Sequence, residues 1–111
     1  MSLFSQAVQT SPDSAYIHFN LANILSYAES YEESLKAYNR AISLFPKYAE
    51  ATNNKAFVLN RLERHEEAFE CSKRVILLGG ASYMTLTNMG DALMGMGDTE
   101  GSVAVRRFLR A

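Results

Sequence analysis

The chain repeats itself every 34 residues, and that period limits what it can fold into more than any other feature. Set residues 15–48 beside 49–82 and Ala15 falls on Ala49, Asn20 on Asn54, Ala22 on Ala56 and Leu25 on Leu59. Glu29 falls on Glu63, Glu32-Glu33 on Glu66-Glu67, Arg40 on Arg74 and Leu44 on Leu78. A third copy, residues 83–111, keeps Asn88, Leu93 and Glu100 in register, with Gly90 in the alanine's place. A fixed period of this size means one small unit stacked on itself, which favours a surface for partners over a single catalytic pocket.

Each unit reads as two helices. Over 14–27, Ile17, Leu21, Ile24, Leu25 and Ala28 recur at spacings of three and four, the pattern of an amphipathic helix. Ser30, with Glu33 three residues later, is expected to form a capping box and start the second helix. Leu35, Tyr38, Ala41, Ile42 and Phe45 continue its apolar face, and Pro46 stops it. Helices follow at about 49–62, 65–78 and 82–95, with Gly79-Gly80 as a left-handed C-terminal cap. Asp98 is a good N-cap for the last helix. Connections this short make successive helices antiparallel. Small residues mark the helix crossings: Ala22, Ala56 and Gly90 in one set, Ser34, Ala68 and Ser102 in another, Ala7, Ala41 and Val75 in a third.

Composition excludes more than it assigns. Of 111 residues, 48% are hydrophobic and 21% charged, enough apolar content for one continuous core. A net charge of −1 provides no general attraction to nucleic acid or an acidic membrane, so neither is expected as a partner. Arg106, Arg107 and Arg110 offset the dipole of a terminal helix. The lone cysteine, Cys71, forms no internal disulfide, no apolar run approaches the ~20 residues of a membrane span, and no secretory leader is read. A cytoplasmic location is expected.

Catalysis finds little support. His18 and His65 fall on different helices without partner ligands at metal or acid–base spacing. The paired glutamates recur with the fold and suit helix starts, whereas hydrolytic carboxylates need no duplication in every unit. Cys71 lies within a helix as a packed thiol, and Gly95-Met96-Gly97 follows a helix and lacks the third glycine of a phosphate loop. No enzyme activity, metal or cofactor is expected.

These units resemble the tetratricopeptide repeat family. The resemblance is carried by Leu21-Ala22, Leu25, Tyr31, Ser34, Tyr38, Ala41 and Pro46 in the first unit, and by Ala56, Leu59, Ala68 and Val75 in the second. Met89-Gly90, Leu93, Gly97-Asp98 and Ser102 carry it in the third. His18, Thr52 and Leu86 stand where the family has tryptophan, Lys55 where an apolar residue is usual, and Arg106 where an aromatic is. The resemblance implies an all-α fold, a right-handed superhelical stack of antiparallel helix pairs. Phe4, Ala7 and Pro12 lie one period before Tyr38, Ala41 and Pro46, so residues 1–12 read as the second half of a truncated repeat. The chain is accordingly expected to be a piece of a longer repeat protein.

In that architecture the first helix of each pair lines a concave groove. The residues expected there are Tyr16, Phe19, Asn23 and Tyr27, then Asn53, Asn54, Phe57 and Arg61, then Met84, Asn88 and Asp91. Aromatic and methionine side chains provide tolerant apolar contact, and amides can pair with a peptide backbone. A protein or peptide partner is therefore expected. The competing reading has Tyr16, Phe19 and Met84 covered by a neighbouring repeat, the segment serving as a spacer or weak homo-oligomer through its terminal faces, with any catalytic domain elsewhere. Some family members clamp the acidic C-terminal tails of chaperones with lysines, asparagines and an arginine. Here Asn23 and Asn54 match the asparagines, but Phe19 and Met84 occupy lysine positions and Asn88 the arginine position. Burying a carboxylate without a cation is costly, which argues against a chaperone tail.

Overall fold

The structure, a computed structural model, describes residues 13–110. Six helices follow one another: α1 (Asp13–Tyr27), α2 (Tyr31–Leu44), α3 (Ala49–Arg61), α4 (His65–Leu77), α5 (Tyr83–Gly95) and α6 (Thr99–Arg110). No strand occurs among the described residues. The half-repeat expected over 1–12 lies outside them.

Each helix packs on its successor, and in addition α1 touches α3 and α3 touches α5. Among the described residues, α2, α4 and α6 make no such contacts with one another. The first helices of the pairs therefore lie on the inside of the curve and the second helices on the outside. The result is an all-α, right-handed stack measuring 51 × 27 × 18 Å. Its radius of gyration of 14.8 Å exceeds the ~13 Å of a compact domain of about 100 residues, as an elongated solenoid requires.

The small residues sit where the helices cross. Ala22, Ala56, Ser34, Ala68 and Ser102 are fully buried, as are Ala41 and Val75. The Ser34 hydroxyl donates to the Ala22 carbonyl at 2.8 Å, so the backbone of α1 lies within reach of a side chain of two heavy atoms on α2. Leu59 fills the middle of the seam and is fully buried, while Leu25 and Leu93 on either side are partly covered. Edge effects are equally visible. Ile24 is 64% exposed on α1, whereas Val58 and Ala92, one and two periods on, are fully buried.

The turns repeat as faithfully as the helices. Glu29 (φ 61°), Glu63 (φ 60°) and Gly97 (φ 84°) adopt the left-handed conformation at one period's spacing. The following N–H donates back to a leucine carbonyl in each case: Ser30 to Leu25 at 2.9 Å, Arg64 to Leu59 at 2.8 Å and Asp98 to Leu93 at 2.8 Å. The seam leucines thus also accept the bond that closes their helix, the six-to-one bond of a Schellman cap. Gly79 (φ 79°) does the same between α4 and α5, with Gly80 donating to Val75 at 3.1 Å.

This geometry corrects the capping box expected at Ser30. Ser30 makes no side-chain cap bond, and its N–H already serves Leu25, which leaves Glu33 nothing to accept. The reciprocal box forms at Ser82 instead, where Thr85 Oγ1 accepts from the Ser82 N–H at 3.1 Å and Ser82 Oγ accepts from Thr85 at 3.4 Å. Asp98 caps α6 as expected, accepting from the Gly101 N–H at 2.8 Å.

Two substitutions should move stability in opposite directions. Leu59→Ala is expected to cost about 2–5 kcal/mol, as a fully buried large-to-small change. Gly90→Ala is expected to add about 0.5–1 kcal/mol, because its new Cβ would meet Val105 at 3.7 Å, an ordinary contact, while gaining helix propensity. Urea midpoints of the two variants check both signs.

Candidate functional site

The inner helices and the α1–α2 turn enclose an open groove of about 540 Å³. Asn23, Ser26 and Tyr27 of α1, Glu29 in the turn, Tyr31 and Tyr38 of α2, Asn54 and Phe57 of α3, and Met84 of α5 line it. Five of the residues expected from the sequence meet here: Asn23, Tyr27, Asn54, Phe57 and Met84. Tyr27 projects almost entirely into solvent, and Phe57 and Met84 are 39% and 40% exposed. For a phenylalanine facing a concavity, that is a surface available to a ligand.

The floor is a fixed amide pair. Asn23 Oδ1 accepts from the Tyr38 hydroxyl and, at 3.1 Å, from Asn54 Nδ2. Among the described residues neither Asn23 Nδ2 nor Asn54 Oδ1 is hydrogen-bonded, so the pair presents one donor group and one acceptor. A peptide bond presents the complementary two. Burial of the Tyr38 ring pushes its phenol up to about 12, so the hydroxyl remains a donor across the physiological range.

The other expected residues lie elsewhere. Phe19 is in the core, its ring centroid 5.0 Å from Tyr48 and 6.2 Å from Tyr38, so it packs within the first unit instead of lining the groove. Asn53 and Asn88 are also buried, and Asn88 Nδ2 donates to the Asn53 carbonyl at 3.0 Å and to Asn53 Oδ1 at 3.3 Å. Asp91 faces α6, where Arg106 reaches it at 3.5 Å. Tyr16 is 60% exposed but outside the groove lining. Arg61 stands at the rim, its guanidinium 5.7 Å from the centre of the Tyr31 ring.

One contrast explains why two periodic asparagines have different fates. Asn54 and Asn88 hold the same place in successive units, and each looks back at two positions on the preceding inner helix. Behind Asn54 these are Phe19 and Asn23; behind Asn88 they are Asn53 and Phe57. Only the amide can accept, so Asn54 turns to the groove-side Asn23 and Asn88 to the buried Asn53. The phenylalanine takes the remaining place: Phe19 inward, Phe57 into the groove.

Glu29, Tyr31 and Tyr38 line the groove although the sequence reading did not place them there. Tyr31 and Tyr38 belong to an outer helix and look like core, but a buried tyrosine needs a partner for its hydroxyl, which directs its tip to a polar edge. His18 Nε2 is buried without a partner, and burial, reinforced by Arg40, lowers its pKa and favours the neutral ring. His65 Nδ1 pairs with Asn60 Oδ1 at 2.9 Å, and burial pushes the Cys71 thiol up, away from the reactive thiolate. Among the described residues no group of three His, Cys, Asp or Glu is placed to hold a metal ion, and no helix is long and apolar enough to cross a membrane.

The Tetratricopeptide repeat family profile matches residues 15–48. The Arabidopsis OM64 TPR domain superposes with a TM-score of 0.84 at 15% identity, over 88% of this chain and 81% of that one. The second TPR of Spaghetti (RPAP3), solved bound to HSP90 peptide SRMEEVD, superposes with a TM-score of 0.83 at 21% identity, over 91% and 94%. Residues 15–48 thus match a tetratricopeptide repeat, and the described chain shares the fold of TPR domains. In sequence it is 42% identical over 53 residues to human Protein O-mannosyl-transferase TMTC1, a match covering 48% of this chain but 6% of that protein.

The Tyr38 bond has a pH signature. The unfolded phenol ionises near 10, while the folded one holds its proton to about 12, so stability should fall as pH rises above 10. Tyr38→Phe is expected to cost about 0.5–1.5 kcal/mol at neutral pH and to flatten that alkaline loss. Urea midpoints of both proteins at pH 8 and pH 11 measure it.

Proposed function

We propose that this chain is a non-catalytic protein-interaction module that holds an extended peptide or partner helix in its concave groove. The observation that carries the reading is the juxtaposition of an anchored Asn23–Asn54 pair with the exposed faces of Phe57, Tyr27 and Met84. Fixed amides can read a backbone and cost little ordering on binding, and the apolar wall takes side chains. That the second TPR of Spaghetti (RPAP3) holds a peptide supports the same use of the fold.

A chaperone tail is not the ligand we favour. Phe19 and Met84 at the lysine positions bring no cation, and Asn88 at the arginine position is buried against Asn53. A cytoplasmic setting and membership of a longer repeat protein belong to the same proposal. A second reading, a structural segment of a protein whose catalysis lies elsewhere, is favoured by one observation: the similar segment in TMTC1 is a small part of a protein named as a transferase.

Panning a random-peptide phage library on the folded chain tests the groove. Clones should enrich on the parent chain and on Tyr16→Ala, and lose binding at least about tenfold on Phe57→Ala, in line with removal of a central aromatic anchor. Clones indifferent to Phe57→Ala would refute groove binding, provided the thermal midpoint of that variant is unchanged.

A further inference from the structure

The groove has an electrostatic character that its family resemblance does not suggest. Of its lining residues one carries a formal charge, the carboxylate of Glu29. Beside it stand the rings of Tyr27, Tyr31 and Phe57, whose π faces are electron-rich. The wall has already been shown to accept a cation, because Arg61 places its guanidinium 5.7 Å from the Tyr31 centroid. Glu29 is also fixed in place: its left-handed φ of 61° and the Ser30-to-Leu25 bond behind it pin the turn that carries the carboxylate to the rim.

We propose that the peptide taken by this groove presents a basic side chain, lysine or arginine, to the Tyr27–Tyr31–Glu29 end, and that Arg61 is the internal stand-in for it in the free chain. This inference rests on the groove reading above and specifies its ligand. An ammonium or guanidinium there meets ring faces and a carboxylate, an arrangement that favours cations at close range. An acidic side chain would meet the same ring faces and a like charge, with no lysine in the lining to offset them. Arg61 then acts against the ligand: it covers one face of Tyr31 and must swing aside, which its exposed position on the last turn of α3 allows.

Two single substitutions separate a basic ligand from an acidic one by sign. Peptides recovered by panning are synthesised, and their affinities measured by titration calorimetry against the parent chain, Glu29→Gln and Arg61→Gln. The expected result is a shared lysine or arginine whose replacement by norleucine weakens binding about threefold to tenfold. Glu29→Gln should weaken binding to a similar degree, while Arg61→Gln leaves it unchanged or tightens it. Peptides without a basic residue, or affinities that fall with Arg61→Gln and hold with Glu29→Gln, would overturn the inference. In those cases dependence on Phe57 would still stand and the groove reading with it. If no peptide depends on Phe57, the groove reading fails first and takes this inference with it.

Discussion

Each helix pair crosses on small side chains, and the rest of the architecture depends on that close approach. Ser34 is near enough to α1 to donate to the Ala22 carbonyl, and Ala56 with Ala68, and Gly90 with Ser102, hold the same places further along. Close crossing sets a common angle within each pair, and repeating one angle generates a regular superhelix. A regular superhelix in turn puts α1, α3 and α5 on the inside. The groove is a consequence of this stacking.

What the stack does not determine is the chemistry of its inner surface. That depends on choices at a few inner positions that the period leaves free. The Phe19/Asn23 order on α1 and the Asn53/Phe57 order on α3 send one amide and one ring each way, and their reversal places Asn23, Asn54 and Phe57 together in the same concavity. Polar bonds that link units, such as Asn60 Nδ2 to the Asn88 carbonyl at 3.0 Å, use up other amides that would otherwise face a ligand. A buried amide left unpaired would destabilise the stack, so network membership and ligand binding compete for the same side chains.

This is why the fold was more legible in the sequence than the site. Helix positions, the crossing residues and the seam leucines follow from period and spacing, because every unit imposes them. Phe19 is different: its ring packs on Tyr48, 29 residues on in the turn between α2 and α3, a contact that helical spacing does not reveal. Asn88 is expected in the groove, yet its partner is Asn53, a residue of the preceding unit. The expected box at Ser30 fails for a similar reason, since the preceding turn had already engaged its N–H. Glu29 carried a signal in retrospect: a glutamate repeated at the ends of the first two inner helices, Glu29 and Glu63, in the left-handed position of the turn.

The central claim is that like-numbered side chains occupy equivalent crossings in every unit, and Ala68 tests it most directly. Ala68→Ser should be tolerated within about 1 kcal/mol, because the equivalent Ser34 finds a carbonyl at that crossing and Ala56 would offer the same one. Ala68→Leu should lose about 3 kcal/mol or more, since the position is fully buried between two helices with no room for extra methyl groups. Urea denaturation of the pair gives both values. A leucine accepted there without loss would mean that the helices do not cross where the period places them.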